Sequence, residues 1–321
     1  MKLFRSLSKT LRKAINGKTE CKVFPCPNVS RKPQCRHNIT VAAIVKDEAK
    51  YLCEWLSFHL AVGVDHFAIY DNGSTDNAPE VLEPFIVAGH VTVIPWPHFV
   101  VGYHTQALAY AHALALFGQD SRWMAFIDVD EFLFSPEKLT LPEVMRDYDD
   151  LPAINVFRHF FGTSGHRTPP WGSVIDNFNI RHEPPTEPVE LRGFQVPKTI
   201  AQPRFATGTI GAHRLLLPEE GLWGYDEMRR PVRRSSPAAF TAKRLCVNHY
   251  YTKDEETFLK RTMRKFSAAN LPVPPGEYDA AYAKLSQAGV RDIRIQAWSG
   301  LTRERMAQFA GRRARLTLVG T

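Results

Sequence analysis

Three groups of polar residues, each directly after a short apolar run, are the features of this sequence that could do chemistry. They are Lys46 with Asp47 and Glu48, the turn at 71–76, and the pair of Asp128 and Asp130. In open α/β sheets, ligands bind beyond the carboxyl ends of the strands. The three groups therefore predict a ligand site at one edge of a sheet.

The pair of Asp128 and Asp130 predicts a metal site. In an extended segment the two side chains project to the same side, roughly 6.6 Å apart along the chain. Two such carboxylates can hold one hard cation, Mn²⁺ or Mg²⁺, and leave positions for phosphate oxygens. The alternative is a surface turn with capping aspartates. Apolar runs at 123–127 and 132–134 flank the pair and favour the metal site.

A metal ion or protein cations would assist transfer from a nucleotide sugar, because the leaving diphosphate develops negative charge. His249 follows the apolar residues 245–247 and is the candidate for a further metal ligand, although single histidines more commonly serve packing or hydrogen bonding. Lys198, Arg204 and Arg214 could neutralise the diphosphate or bind an anionic acceptor, or be surface cations.

The turn at 71–76 offers carboxylate and hydroxyl groups suited to the base and ribose of a nucleotide. Ser74 and Asp76 are equally good helix-capping residues. The two roles are compatible, and both stay open.

Alternating strand and helix patterns must position these groups. The β-branched and apolar runs predict buried strands, and apolar residues at helical spacing predict helices between them. This alternation predicts an α/β fold with a mainly parallel sheet covered on both faces. Residues 152–240 carry many Pro and Gly and predict an acceptor-side region of long loops. The predicted strands are 39–45, 66–70, 91–94 and 123–127, and the predicted helices are 47–62, 78–88, 104–117, 254–268, 280–287 and 302–310.

The net charge of +8 is concentrated at one end of the chain. Residues 1–36 hold ten Lys or Arg and one acidic residue, a net of +9, against −1 for the rest. A nucleic-acid binder needs basic residues along a phosphate track, so we expect no nucleic-acid partner. Residues 1–18 predict a basic amphipathic helix that lies on an anionic membrane or on the protein's own surface.

Five cysteines, Cys21, Cys26, Cys35, Cys53 and Cys246, lack the paired short spacing of a zinc site. Three of them cluster before the first strand, where a metal clip is conceivable, but reduced thiols are the better interpretation. No segment forms a signal-peptide core or a membrane span. We therefore expect a cytoplasmic location, with the basic helix at the inner face of the membrane as an option.

Several motifs in order resemble glycosyltransferase family 92, a relative of family 2. Residues 45–49, 51–55, 63–67, 70–76 and 123–132 carry the resemblance, and 161–166, 198–200 and 248–253 extend it, so that it covers roughly residues 39–265. The first motif reads Lys46-Asp47-Glu48 where relatives commonly have Lys-Asn-Glu, a conservative departure. The absence of an anchor makes the chain look like a bacterial member of the family.

The resemblance implies a GT-A fold and an inverting transfer of a hexose, such as galactose from a UDP-sugar, to a glycan or lipid-linked acceptor. It implies that Asp128, Asp130 and His249 bind the metal. The nucleotide-binding residues that it implies are Lys46, Glu48, Asp71, Asn72 and Asp128.

Inversion also needs a general base, normally a carboxylate opposite the leaving group. Asp176 is favoured because it closes the short apolar stretch of Val174 and Ile175, and Glu183 is the second choice. Each candidate could equally be a solvated charge. The full set is Asp176, Glu183, Glu187, Glu190, Asp226 and Glu227.

The predicted organisation is an N-terminal helix and linker at 1–38, a GT-A catalytic domain at 39–252 and a helical extension at 253–321. One rival is an Asp-x-Asp phosphohydrolase, which the position of the pair after the fourth predicted strand disfavours. The other is a non-catalytic protein of GT-A fold that binds a nucleotide sugar or a carbohydrate.

Overall fold

A computed structural model describes residues 23–26, 32, 34–97, 103–191, 195–211, 214–233, 236–268, 276, 282 and 289–319. The predicted helix at 1–18 and nearly all of the predicted helix at 280–287 lie outside these residues. Within them, no helix is long and apolar enough to cross a membrane.

The helices of the described residues follow the apolar periodicity of the sequence. Leu52, Trp55 and Leu56 of the first helix are buried, and Gly63 follows it with a φ of +99°. A Cβ at Gly63 would lie 2.6 Å from Pro142 Cδ, so this turn requires glycine. The helices are α1 (Ala49–Ala61), α2 (Ala78–Val87), α3 (Tyr103–Phe117), α4 (Leu141–Met145), α5 (Val174–Asn177), α6 (Glu255–Ala268) and α7 (Ser299–Val319), with 3-10 turns at Arg146–Tyr148, Pro203–Phe205 and Arg294–Trp298.

The strands after residue 150 are short, at two to four residues each. The strands are β1 (Val23–Pro25), β2 (His37–Val45), β3 (His66–Asp71), β4 (Val91–Pro95), β5 (Ser121–Phe126), β6 (Glu131–Phe134), β7 (Ala153–Val156), β8 (Arg158–Phe160), β9 (Ile180–Arg181), β10 (Lys198–Ala201), β11 (Gly208–Ile210), β12 (Arg214–Leu216), β13 (Leu222–Tyr225), β14 (Pro231–Arg233), β15 (Cys246–His249) and β16 (Val290–Arg291).

An eight-stranded sheet organises the described residues, in the order β14-β13-β7-β10-β5-β2-β3-β4. The half from β5 to β4 is parallel, whereas β10 runs antiparallel to both β5 and β7. Alternate residues of β2 face opposite cores, with Val41 and Ala43 in one and Ala42 in the other. Leu52 of α1 belongs to the first core and Ala109 of α3 to the second, so helices cover both faces. The predicted α/β fold, with a mainly parallel sheet covered on both faces, is confirmed.

A smaller sheet, β6-β15-β8, lies beside the end of β5. β15 pairs antiparallel with β6 and parallel with β8. This sheet joins the segment after β5 to a strand more than a hundred residues later in the chain. Residues that are far apart in sequence, at β6 and β15, therefore lie side by side in this sheet.

The region 152–240 differs from the sequence-based expectation. We expected long loops, and the structure has short strands there, β7 to β14. Strands of two to four residues show no period, and their partners are far away in sequence, so a local pattern cannot reveal them. Within the predicted linker, Val23–Pro25 pairs with β11.

The C-terminal helix α7 packs on α2. Phe309 stacks on Phe85 of α2 with ring centroids 3.9 Å apart. The four described cysteines, Cys26, Cys35, Cys53 and Cys246, form no disulfide bond with one another. The predicted domain boundaries at 38 and 252 stay predictions.

Candidate active site

A tight turn after β5 carries Asp128 and Asp130. The N–H of Asp128 donates to Glu131 Oε2 at 2.9 Å, and the N–H of Glu131 donates to the Asp128 carbonyl at 2.9 Å. Our expectation of an extended segment was therefore wrong, because these two bonds close a turn between β5 and β6. As a result, each aspartate has its own set of partners.

Asp128 is held by two side chains from opposite sides. Gln106 Nε2, from α3, donates to Asp128 Oδ1 at 2.7 Å. Lys198 Nζ, from β10, donates to Asp128 Oδ2 at 2.8 Å. The Asp128 side chain is still 32% exposed, so a ligand can reach it.

Asp130 is more deeply buried, at 4% exposure of its side chain, and lies between Arg261 and His249. Arg261 Nη2, from α6, donates to Asp130 Oδ2 at 2.7 Å. His249 Nε2 lies 3.4 Å from Asp130 Oδ1. The register of β15 on β6 sets His249 opposite Glu131, and the N–H of Tyr250 donates to the Asp130 carbonyl at 2.8 Å. The structure thus brings together Asp130 and His249, as predicted.

Glu131 is the buried centre of an ion network beneath this turn. Its side chain is 0% exposed, and Lys198 Nζ lies 2.8 Å from Oε2. Arg158 Nη1 lies 3.1 Å from Oε1. Burial lowers the pKa of Lys198, but the charges of Asp128 and Glu131 outweigh burial and raise it, so Lys198 is a cation. The network fixes the turn to β6, β8 and β10.

Asp130 and His249 fit the first two positions of a divalent-cation site. Among the described residues no donor hydrogen-bonds to the buried Asp130 Oδ1. An oxygen and an imidazole nitrogen suit Mn²⁺. Over the same residues, no three His, Cys, Asp or Glu side chains are grouped closely enough to hold a metal. Asp128 accepts hydrogen bonds from Gln106 and Lys198. The residues therefore fit a metal ion with two protein ligands, Asp130 and His249, and with Asp128 nearby but not a direct ligand.

A cleft of ≈ 190 Å³ opens beside Arg261, which pairs with Asp130. Asp47, Glu48 and Tyr51 line the wall formed by the start of α1, and the opposite wall is cationic. Lys253 is 4% exposed, and its Nζ lies 3.7 Å from the centroid of the Tyr51 ring. Burial lowers the pKa of Lys253, against the charges of Glu48 and Asp130, which raise it. The cationic wall consists of Lys253, Lys260 and Arg261, with Thr257 between them.

The turn at 71–76 is bonded to the loop that follows β2. Asp47 Oδ1 accepts the N–H of Thr75 at 2.8 Å, and Ser74 Oγ accepts the N–H of Asp47 at 3.1 Å. Asp76 Oδ2 accepts the N–H of Ala49, the first residue of α1, at 2.8 Å. Asp76 Oδ1 also accepts the N–H of Ala78, the first residue of α2, at 3.1 Å, and this bond is the predicted capping role of Asp76. These bonds bring the first two polar groups of the sequence together.

The other predicted nucleotide residues lie along this edge. Asp71 Oδ1 accepts the N–H of Ser74 at 2.8 Å. Asn72 Nδ2 donates to the Trp96 carbonyl at 2.8 Å. Lys46 lies directly after β2 and is half-buried. The nucleotide-binding role of these residues stays a prediction.

The predicted general bases lie outside the lining of this cleft, as far as the described residues show. Asp176, in α5, accepts hydrogen bonds from Ser173 Oγ at 2.6 Å, Ser299 Oγ at 2.5 Å and Arg303 Nη1 at 2.8 Å. Glu183 is exposed on the segment after β9. The catalytic role of both stays a prediction.

Two other base candidates hold backbone in place. Asp226 accepts the N–H groups of Met228 and Arg230 at 2.9 Å each. Glu227 accepts the N–H groups of residues 243, 244 and 245 at 2.7 Å each. The remaining candidates, Glu187 and Glu190, are exposed.

Glu54 of α1 holds the helix that carries Asp176. It accepts the N–H of Val174 at 2.7 Å and of Ile175 at 3.0 Å. Burial raises the pKa of Glu54 to about 7, although these two bonds favour the ionised form.

Two of the proposed diphosphate cations are stacked on aromatic rings instead. Arg204 Cζ lies 4.5 Å from the centroid of Phe205, and Arg214 Cζ lies 4.0 Å from that of Trp223. Only Lys198 of the three contacts the site among the described residues.

Sequence reasoning assigned no role to four residues that contact the site, and the signal for Lys253 was its place in the motif at 248–253. The four residues are Gln106, Arg158, Lys253 and Arg261.

Comparison with known proteins points to one family. The model of glycosyltransferase family 92 matches residues 38–212, more than half of the chain. A family 92 protein of Oryza sativa subsp. japonica is 34% identical over 149 residues, covering 45% of this chain and 25% of the relative. A galactan beta-1,4-galactosyltransferase of Arabidopsis thaliana is 35% identical over 109 residues, covering 32% and 21%. The chain thus spans about a quarter of the length of these relatives.

The likeness to solved structures is distant. A structure of S. aureus TarS 1–349 in complex with UDP has a TM-score of 0.35 and 13% identity, covering 77% of this chain and 70% of that chain. The relatives above are plant proteins, so they do not support the expectation of a bacterial member.

Proposed function

We propose that this chain, which belongs to glycosyltransferase family 92, transfers a hexose from a UDP-sugar to a hydroxyl group of a glycan or lipid-linked acceptor. One observation carries the proposal: the cationic wall of the cleft includes Arg261, which pairs with the buried Asp130 beside His249. Such a cleft suits a nucleoside diphosphate, whose phosphates need cations and whose ribose needs acceptors. The name of the Arabidopsis relative supports galactose as the hexose.

In this proposal Asp130 and His249 hold a divalent cation, Mn²⁺ or Mg²⁺, and Asp128 adjoins it. The bound cation would neutralise charge that develops on the leaving diphosphate. Lys198 and Gln106 keep Asp128 in place through both of its oxygens. Because Glu131 and Lys198 are nearly inaccessible to solvent, the turn is held before any ligand arrives.

The two walls of the cleft have separate tasks. Lys253 and Arg261 face the diphosphate, where positive charge stabilises the leaving group. Asp47 and Glu48 face the ribose and base, where carboxylates accept hydrogen bonds from hydroxyl and imide groups. Asp71, Asn72 and Lys46 extend this nucleotide edge.

The finer features of the reaction rest on the family resemblance. They are inversion at the anomeric carbon and general-base catalysis by Asp176 or Glu183. Membrane contact through residues 1–18 and a cytoplasmic location stay predictions.

A screen of UDP-, GDP- and dTDP-sugars with Mn²⁺, read as released nucleotide, tests the proposal. We expect turnover with a UDP-hexose and a loss of at least about 100-fold in Asp130→Asn, because the cation loses a ligand. Asp150→Asn, at an exposed carboxylate, is the matched control. Full activity in a folded Asp130→Asn protein would exclude the proposed role.

The same experiment separates the rival function. A non-catalytic binding protein would bind UDP with Mn²⁺ in calorimetry and release no nucleotide from any donor. Release of nucleotide from a donor sugar, either without an acceptor or with a glycan acceptor, supports the transferase.

A further inference from the structure

Arg261 occupies the carboxylate that the proposed function assigns to a divalent cation. Its Nη2 donates to Asp130 Oδ2 at 2.7 Å, and its Nη1 donates to the Tyr251 carbonyl at 2.8 Å. The guanidinium carbon lies 4.4 Å from the centroid of the Tyr251 ring. Arg261 therefore neutralises one oxygen of Asp130 while the other oxygen has His249 beside it.

Two cations on one buried carboxylate repel each other. At the 4% exposure of Asp130, water screens this repulsion weakly. A divalent ion on Asp130 and His249 would thus weaken the ion pair between Asp130 and Arg261. Equally, that ion pair would lower the affinity of the site for the ion. The arginine and the metal compete for the same negative charge.

The diphosphate site lies within reach of Arg261. Arg261 lines the cleft, together with Lys253 and Lys260, and its side chain is 24% exposed. The helix that carries it is anchored at its start, where the N–H groups of Glu255 and Glu256 donate to the carbonyls of His166 and Arg167 at 3.2 and 3.0 Å. An exchange of partner by the Arg261 side chain would leave these two bonds of the helix in place.

We propose that Arg261 is a placeholder cation: it neutralises Asp130 in the unliganded protein and turns to the diphosphate when a divalent cation takes Asp130. This inference rests on the proposed function and adds a binding residue and an order of events to it. Metal and nucleotide then bind with positive coupling. The diphosphate withdraws Arg261, the cation that opposes the metal at Asp130, and the metal in turn releases Arg261 to the diphosphate. The diphosphate draws Arg261 away and so frees Asp130 for the cation.

Titration with Mn²⁺ alone, followed by the electron paramagnetic resonance signal of free Mn²⁺, tests the placeholder role without catalysis. We expect Arg261→Met to bind Mn²⁺ about 10-fold more tightly than the wild type. Calorimetry with UDP at saturating Mn²⁺ should show UDP binding weakened by about 10-fold or more in the same variant. These opposite effects distinguish the placeholder from a residue that only supports the fold, whose loss would weaken both.

Lys260→Met is the matched control, because Lys260 lines the same cleft and pairs with Glu256 but does not contact Asp130 in the described structure. It should leave Mn²⁺ affinity within 2-fold of the wild type. If Arg261→Met does not fold, Arg261→Lys serves, since it keeps one charge but not both bonds, and a smaller gain in Mn²⁺ affinity is expected. Unchanged, weaker or undetectable Mn²⁺ binding in the folded Arg261 variant would overturn the inference. Failure of the wild type to bind UDP would instead count against the proposed function.

Discussion

Replacement of Lys198 by Met should strongly destabilise the protein while keeping most of the side chain's volume. Lys198 is 1% exposed and lies 2.8 Å from both Asp128 Oδ2 and Glu131 Oε2. Removal of one partner from a buried ion pair costs about 3–5 kcal/mol, because the remaining charge is left uncompensated. Asp128 is partly exposed and Glu131 keeps Arg158, so we expect the lower end, about 3 kcal/mol. For a chain of 321 residues that corresponds to a fall in Tm of roughly 4–5 °C.

Urea unfolding followed by circular dichroism gives the free energy of unfolding of Lys198→Met. The control is Lys32→Met, because Lys32 pairs with Asp120 at the surface, with side chains 51% and 36% exposed. Exposed pairs contribute about 1 kcal/mol or less. In a Glu131→Gln background, Lys198→Met should cost at least about 1 kcal/mol less than in the wild type, because the pair is already broken. Equal, small losses for the two lysine variants would refute the buried network as a source of stability.

Three further predictions concern stability. The unfolded chain releases the Glu54 proton near pH 4.5, whereas the folded protein keeps it until near pH 7. As the pH rises through this window, the free energy of unfolding therefore falls by up to about 3 kcal/mol. Urea midpoints at pH 5 and 8 should show that Glu54→Gln lacks this part of the fall, and an identical fall in both proteins would contradict the burial argument. Gly224→Ala should lower the Tm in a thermal melt, because φ is +127° and a Cβ would lie 2.6 Å from Asn155 Nδ2; an unchanged Tm would show that the strand can shift. Glu227→Gln should cost about 2–3 kcal/mol in urea unfolding, since one buried carboxylate oxygen accepts the N–H groups of Arg244 and Leu245 and the other that of Lys243, whereas an amide has only one accepting oxygen; a loss below about 0.5 kcal/mol would mean that water replaces these bonds.

The sequence by itself determined the parallel half of the fold and the edge at which the site lies. The strands β2 to β5 and helices α1 to α3 lie where apolar periodicity predicted them, because burial of one face or of a whole strand leaves a local pattern. Polar residues after these strands also reveal the edge, since parallel strands end on the same side. Asp128 and Asp130 can for this reason be recognised as site residues from the sequence.

Only the tertiary structure decided which groups neutralise those aspartates. Lys198 is 70 residues from Asp128, and Arg261 is 131 residues from Asp130. Their meeting depends on β10 pairing with β5 and on helix α6 following β15, which no short-range pattern encodes. The sequence therefore showed where the negative charge lies. The fold decided which cations balance it, because Coulomb attraction depends on distance in space and not along the chain.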